Sequence, residues 1–88
     1  MNFILTRNFQ KAFRKLDATT KRRILIVINE VKAAQSLQQV KSVKPMSNYP
    51  NFYRIREGNY RVGIYVTADA LVEFLDVGSR GGFYNSFP

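Results

Sequence analysis

Residues 52–67 read FYRIREGNYRVGIYVT, two segments of alternating character separated by Gly58-Asn59. Both segments are rich in the aromatic and β-branched residues that are typical of strands. Glycine and asparagine tolerate a positive φ, so this dipeptide is the signal of a two-residue hairpin turn. The sequence therefore predicts antiparallel strands over residues 52–56 and 60–67, joined by a tight turn.

The predicted turn also determines which residues face each other across the hairpin. Counting outward from it places Arg56 opposite Arg61 and Arg54 opposite Gly63. Because side chains alternate between the two faces of a strand, one face is apolar and belongs to the core: Tyr53, Ile55, Val62 and Ile64. The opposite face carries Arg54, Arg56, Arg61 and Tyr65.

The arginine-bearing face has two interpretations. Two arginines directly opposite each other destabilise a sheet, but their guanidinium groups match the geometry of a phosphate. Gly63 has no side chain, so we expect it to leave room for a ligand beside Arg54. We therefore predict an anion site on this face, to which Arg80 and Tyr84 contribute because they follow the last strand. The alternative is a set of ordinary solvated arginines.

The rest of the chain supplies two helices and two more strands. A first helix is predicted to begin after Thr6, a good N-cap residue, and to end near Leu16. A second helix is predicted over residues 21–38, because its apolar positions recur at helical spacing. Strands are predicted at residues 2–5 and 71–77.

Two segments are predicted to lack regular structure. Residues 39–51 form a polar connection in which Pro45 and Pro50 end regular structure. Residues 78–88 form a tail with three glycines and little periodicity. Its first part, residues 78–82, lacks the spacing of a phosphate-binding loop, and no helix is expected after the last strand. The predicted fold class is α+β, with an N-terminal strand and a two-helix hairpin packed on a C-terminal antiparallel β-meander.

Length and composition indicate one domain over residues 1–88 and exclude several chemistries. The chain is 45% hydrophobic, which is enough for a small core. It contains neither cysteine nor histidine, so disulfides, Cys/His metal sites and Cys-His or Ser-His-Asp catalysis are excluded. The six acids are dispersed, and we predict no metal site and no cofactor. The longest aliphatic run, residues 24–28, is too short for a membrane span, so a cytoplasmic protein without a membrane partner is expected.

Positive charge is concentrated in the first half of the chain. Fourteen Lys and Arg face six acids, a net charge of +8 that lies entirely in residues 1–44. Such an excess predicts an anionic partner. The residues expected to contact RNA or the ribosome are Lys11, Arg14, Lys15, Lys21, Arg22, Arg23, Lys41 and Lys44. For any one of them the alternative is a solvated helical face. Candidates for stacking on bases are Tyr49, Tyr53, Phe83 and Phe87, of which Tyr53 suits the core better.

Several of these residues form a recognisable pattern. Its parts are Phe52-Tyr53-Arg54-Ile55-Arg56, Gly58, Tyr60-Arg61-Val62, Val77-Gly78-Ser79-Arg80 and Tyr84. Together with the length, the basic charge and the order of elements, the pattern resembles the RelE/ParE superfamily of bacterial toxin–antitoxin toxins. The resemblance extends over nearly the whole chain and implies a RelE-like microbial RNase fold.

The RelE branch implies a specific activity. Its members cleave mRNA in the ribosomal A site without a metal, through attack of the RNA 2′-hydroxyl on the adjacent phosphorus. Carried over by position, the implied catalytic residues are Arg54, Arg56, Arg61, Arg80 and Tyr84. RelE toxins often have lysine where Arg54 and Arg56 stand, and many have histidine where Ser79 stands. Arginine stays protonated, so the resemblance leaves the general base unassigned.

The resemblance also implies the partners. They are a cognate RelB-like antitoxin with an acidic or amphipathic segment, mRNA with the ribosome, and operator DNA only through the antitoxin complex. One alternative is a ParE-like toxin that inhibits gyrase without nuclease activity. Another is an inert basic RNA-binding module. Arg61, Arg80 and Tyr84 favour the nuclease, because ParE toxins typically lack the full set of basic residues and the tyrosine.

Overall fold

The structure is a computed structural model that describes residues 1–85 and 87–88. The elements in chain order are β1 (Phe3–Leu5), α1 (Arg7–Arg14), α2 (Ala18–Ala33), a 3-10 turn (Leu37–Gln39), β2 (Val43–Pro45), β3 (Phe52–Glu57), β4 (Tyr60–Val66), β5 (Val72–Ser79) and α3 (Arg80–Phe83). The predicted α+β class is therefore confirmed, with an N-terminal strand, a helical hairpin and an antiparallel meander. The bounds of the predicted strands differ from the observed ones by one or two residues.

The sheet has five strands in the order β1-β5-β4-β3-β2. β1 runs parallel to β5, and the remaining neighbours are antiparallel. The helical hairpin carries the chain from one edge of the sheet to the other, and the meander then returns it to the side of β1. The predicted hairpin register is confirmed, with Arg56 opposite Arg61 and Arg54 opposite Gly63. Gly58 has a φ of 57°, the positive value that the turn requires.

The main core lies between the helices and one face of the sheet. Its buried residues come from both helices and from the meander, among them Phe9, Ile24, Val31, Ile55, Val62, Ile64 and Phe74. The ring of Phe74 meets the rings of Phe3 and Phe9 edge-on, at centroid distances of 5.8 and 5.4 Å. The predicted inward residues of the hairpin lie on this face, and Tyr53 packs there as a half-buried side chain. We call this the helix face and the opposite side of the sheet the outer face.

The second helix differs from its prediction at both ends. It begins at Ala18, because the Asp17 carboxylate accepts a hydrogen bond from the Thr20 N–H at 3.0 Å and caps the first turn. It ends at Ala33 rather than near residue 38, since Ala34 adopts an extended conformation with a ψ of 149°. Ala34 and Val40 are buried, so the chain turns inward here to cover the core. The first helix ends at Arg14, two residues before Leu16.

The Asp17 cap makes one contribution to stability dependent on pH. Hydrogen bonds from Thr20 lower the pKa of Asp17 below its ordinary value of 3.8. Because the pKa of Asp17 is lower in the folded protein, its carboxylate stabilises the fold at pH values above the pKa that it has in the unfolded chain. This stabilisation is lost as the pH falls through the pKa of the folded state. We expect Asp17→Asn to flatten the fall in Tm in this acidic range, measured by circular dichroism. An unchanged acid profile in the variant would contradict this.

The connection between residues 39 and 51 contains a strand that the prediction missed. β2 pairs antiparallel with β3 and places Lys44 opposite Arg54. It lies at the edge of the sheet, where a proline such as Pro45 is tolerated because its missing N–H is not needed by an outer neighbour. The prolines alone predicted a loop, and the pairing edge offered by β3 overrides that local signal.

The tail also differs from its prediction. A short helix, α3, follows β5 directly, although no helix was expected after the last strand. Phe83 and Phe87 lie on the outer face but are buried there, with 1% and 6% of their surface exposed. The prediction that they stack on bases is therefore wrong. Within residues 1–85 and 87–88, no helix combines the length and apolar character that crossing a membrane requires.

Candidate anion-binding site

A basic pocket lies on the outer face beside the tail. Its lining residues are Ser42, Lys44, Arg54, Arg56, Arg61 and Tyr84. Four predicted site residues, Arg54, Arg56, Arg61 and Tyr84, thus come together around one depression. Among the residues that the structure describes, no carboxylate lines this pocket, so an anion entering it would meet four cationic groups and no acidic competitor.

Strand alternation places the arginines in this pocket. Arg54 and Arg56 are two residues apart on β3 and therefore point to the same face. The residue after them, Glu57, points to the helix face, where its carboxylate lies 2.8 Å from Nη2 of Arg23 on α2. The nearest carboxylate in sequence is thus held on the other side of the sheet, and the pocket keeps its positive charge.

Arg54 joins the sheet to the tail. Its Nη1 donates a hydrogen bond to Oη of Tyr84 at 2.8 Å, and its guanidinium carbon lies 5.7 Å from the centroid of the Tyr84 ring. A hydrogen bond from a charged donor fixes the phenol more firmly than a neutral donor does. Tyr84 is 43% exposed, so its hydroxyl remains accessible at the pocket while being oriented by Arg54.

Arg61 is anchored more deeply than the sequence indicated. Only 9% of it is exposed, although the predicted register placed it on the face opposite the core. Its Nη1 donates to the backbone carbonyls of Gly58 and Tyr60, each at 2.9 Å. The guanidinium therefore holds the β3–β4 turn while lining the pocket, which gives the site a cation with little freedom to move.

The space beside Gly63 is not open to a ligand, contrary to the prediction. A Cβ built on Gly63 would lie 2.5 Å from Cε1 of Phe87, so the Phe87 ring occupies that space. The ring is part of an outer aromatic cluster that we define as Phe52, Tyr65, Phe83 and Phe87. Centroid distances within it are 4.8 Å for Phe52–Tyr65, 5.9 Å for Phe52–Phe87 and 4.9 Å for Phe83–Phe87.

Arg80 is the predicted catalytic residue that does not line the pocket. It is exposed at the start of α3, and its backbone N–H donates to the Asn59 carbonyl at 2.7 Å. Asp76 lies opposite Gly63 on the neighbouring strand and lines a depression together with Lys11 and Lys15.

The predicted RNA-contacting residues are spread over the helices and the following connection. Seven are exposed: Lys11, Arg14, Lys15, Arg22, Arg23, Lys41 and Lys44. Lys21 is half-buried, with its ammonium 6.0 Å from the centroid of the Phe13 ring. Arg23 is paired with Glu57, and Lys44 alone of the group lines the basic pocket.

Sequence reasoning missed two aspects of the pocket, Ser42 as a lining residue and Lys44 as a neighbour of Arg54. Both follow from the unforeseen edge strand, since Lys44 lies opposite Arg54 and the Ser42 carbonyl accepts from the Arg56 N–H at 3.1 Å. The alternation of Ser42, Val43 and Lys44 was the available signal, but three residues are too few to separate a strand from a loop.

Comparison with known proteins agrees with this architecture. No protein-family model matches the chain. The curated protein "Toxin RelE3" of Methanocaldococcus jannaschii is 35% identical over 89 residues, covering 100% of both chains. A crystal structure of a RelB-RelE antitoxin-toxin complex from Methanococcus jannaschii superposes with a TM-score of 0.81 at 33% identity, over 97% of this chain and 99% of that one.

A second solved structure shows that the fold persists at lower identity. It is an archaeal RelE-RelB complex from Pyrococcus horikoshii, with a TM-score of 0.74 at 24% identity over 91% of this chain and 94% of that chain. The fold and the full-length similarity define a small toxin of the type II toxin–antitoxin class. Within that class, the chain belongs to the RelE family.

Proposed function

We propose that this toxin is a ribosome-dependent, metal-independent mRNA endoribonuclease. The observation that carries the proposal is the basic pocket, in which Arg54, Arg56 and Arg61 lie beside the Tyr84 hydroxyl. Membership of the RelE family supports it further. An extended RNA backbone placed on the outer face would bring a phosphate among three guanidinium groups, whose forked donors match its oxygens.

The reaction proposed for this pocket uses a nucleophile that the substrate itself supplies. The 2′-oxygen forms a bond to the adjacent phosphorus, and the bond from phosphorus to the 5′-oxygen breaks. The 2′-hydroxyl loses its proton to a base and the leaving 5′-oxygen gains one, giving a 2′,3′-cyclic phosphate and a 5′-hydroxyl. Arg54, Arg56 and Arg61 stabilise the negative charge that develops at phosphorus. Arg80 is proposed to join them from α3 once RNA is bound.

Proton transfer needs a group other than arginine, which stays protonated in proteins. Two residues of the pocket can exchange a proton, Lys44 and Tyr84. Arg54 orients the Tyr84 hydroxyl, so Tyr84 is proposed to protonate the leaving oxygen or to stack on a base. Lys44 lies opposite Arg54 on β2, and we propose that its amine, in the unprotonated form, accepts the proton of the 2′-hydroxyl.

Lys44 gives a prediction that separates charge from proton transfer. Lys44→Ala is expected to lower kcat about 100-fold, the usual contribution of a positioned acid or base. Lys44→Arg keeps the charge but cannot accept a proton, so it is expected to remain impaired. Single-turnover cleavage on programmed ribosomes measures both variants. Full activity in Lys44→Arg would show that the side chain contributes charge alone.

The proposed activity is tested on programmed ribosomes, with toxin that has first been treated with EDTA and desalted to remove any metal it carries. We expect cleavage of the message in the A site, a 2′,3′-cyclic or 3′-phosphate end, and little cleavage of free RNA. The ribosome is required because it holds the message in the reactive geometry that the pocket alone does not impose. A parallel gyrase supercoiling assay tests the alternative. Intact mRNA with blocked supercoiling would replace the nuclease proposal by gyrase inhibition.

We also propose that a RelB-like antitoxin covers this toxin with an acidic, amphipathic segment that is disordered when free. The net charge of +8 supplies the electrostatic part of the surface. An apolar groove lined by Leu5, Phe9, Phe13, Leu25 and Ile28 supplies the other part, with Arg14 also in its lining. A segment that folds on binding can cover both kinds of surface.

The salt dependence of antitoxin binding follows from this charge. Between low and high salt we expect the association rate to fall at least about tenfold, because long-range steering is screened. The dissociation rate is expected to change much less, since it reflects the packed contacts. Stopped-flow mixing with the cognate antitoxin measures both. A salt-independent association rate, or a bound segment that touches none of the basic residues, would contradict the proposal.

A further inference from the structure

The outer aromatic cluster ties the tail to the sheet beside the basic pocket. Phe87 lies over Gly63, where a Cβ would come 2.6 Å from Cδ1 and Cζ of its ring. The Phe87 N–H donates to the Phe83 carbonyl at 3.1 Å, and the two rings are 4.9 Å apart. Both phenylalanines are nearly fully buried, so the cluster is a second small core on the face opposite the helices.

Tyr84 lies between this second core and the basic pocket. It directly follows Phe83, and the two rings meet edge-on at 5.1 Å. Its hydroxyl reaches Arg54, which lies opposite Gly63 on the neighbouring strand. Gly63 and Arg54 are therefore cross-strand partners. The first lies under the Phe87 ring, and the second binds the Tyr84 hydroxyl. A displacement of Phe87 from Gly63 would move the tail relative to Arg54.

We propose that Phe87 and Gly63 are positioning residues, which hold Tyr84 in the basic pocket through the contact between ring and backbone. Phe87 does not line the pocket, so its effect passes through the tail to Tyr84. The proposal rests on the function proposed above for Tyr84. It adds that a buried aromatic ring, distinct from every charged group of the site, determines the catalytic geometry.

Two glycines of the sheet provide a matched pair of variants. In Gly63→Ala the new methyl group would collide with the Phe87 ring. In Gly78→Ala the new methyl group would lie 3.6 Å from Cα of Phe83, an ordinary van der Waals contact. Gly63 and Gly78 lie on the adjacent strands β4 and β5. Both variants add one methyl group beneath the C-terminal segment, but only Gly63→Ala displaces the Phe87 ring.

The first measurement needs no RNA. The protein is labelled with 3-fluorotyrosine, and the resonance of Tyr84 is assigned with Tyr84→Phe. In Gly63→Ala and in Phe87→Ala, we expect the ¹⁹F chemical shift of Tyr84 to move toward its value in the unfolded protein. In Gly78→Ala this chemical shift should not change. In Phe87→Leu, which restores an apolar side chain, it should lie close to the value in the unmodified protein. An unchanged Tyr84 resonance in Phe87→Ala, in a protein that circular dichroism shows to be folded, would overturn the inference.

The second measurement follows cleavage on programmed ribosomes. We expect Phe87→Ala and Gly63→Ala to lower kcat by about 10- to 100-fold, the range that misplacing a catalytic group produces. KM should change less than about threefold, because the arginines remain in place. In the Tyr84→Ala background, which removes both the hydroxyl and the ring, Phe87→Ala should have no further effect on kcat. Additive effects would overturn the inference, since Phe87 would then act independently of Tyr84.

The two measurements separate this inference from the proposed activity. If the Tyr84 resonance moves as expected and the unmodified toxin cleaves no mRNA, the positioning contact stands and the nuclease proposal fails. If the toxin cleaves mRNA and the resonance stays unmoved in both variants, the nuclease proposal stands and the positioning role fails.

Discussion

Arg54→Ala is expected to lower kcat for ribosome-dependent cleavage about 100- to 1000-fold, the usual loss when one transition-state donor is removed. The substitution removes a cation from the proposed phosphate position. It also removes the donor that orients the Tyr84 hydroxyl at 2.8 Å. Quench-flow cleavage under single-turnover conditions measures the loss directly.

Stability should respond much less to Arg54→Ala than activity does. Arg54 points to the outer face, and the sheet hydrogen bonds on either side of it come from the backbone. We expect a change of about 0.5 kcal/mol or less, as for most substitutions outside the core. Arg7→Ala is the matched control, because it removes an exposed arginine on α1 that does not line the pocket. Near-normal cleavage by Arg54→Ala would show that the phosphate binds elsewhere.

Arg61→Ala is expected to reduce both activity and stability. Activity should fall by a factor similar to that of Arg54→Ala, because a fixed cation leaves the pocket. The carbonyls of Gly58 and Tyr60 each lose a charged donor at 2.9 Å. Hydrogen bonds to charged groups contribute roughly 1.5 to 3 kcal/mol. A loss of about 2 kcal/mol lowers the Tm of a domain of this size by roughly 10 °C.

Arg80→Ala and Arg61→Lys complete the comparison with Arg61→Ala. Arg80 is exposed, so Arg80→Ala should leave the Tm within about 2 °C of the unmodified protein. It should lower kcat, because Arg80 is proposed to contact bound RNA.

Arg61→Lys keeps a charge but loses the planar guanidinium fork, which donates to the turn and also lines the pocket. We expect it to recover part of the stability and little of the activity. A Tm unchanged in Arg61→Ala would show that the turn does not depend on this side chain.

The sequence by itself determined the hairpin that carries the arginines. A two-residue turn and period-two alternation leave one register, so the pairing of Arg56 with Arg61 and Arg54 with Gly63 followed without a structure. The helices were predicted from signals of the same local kind, namely the Thr6 cap for the first helix and apolar periodicity for the second. These signals are local and require no knowledge of distant residues.

Only the tertiary structure decided how the pocket is completed. Lys44 enters it because the edge of β3 recruits a strand from a segment whose own sequence predicts a loop. Arg61 is buried because the turn carbonyls need donors, and Tyr84 approaches Arg54 because Phe87 packs over Gly63. Each contact joins segments that lie apart in sequence or depends on how completely neighbouring groups cover a side chain. No local pattern encodes either quantity, so the register of the hairpin arginines could be foreseen from the sequence, whereas the place of Lys44 and the burial of Arg61 could not.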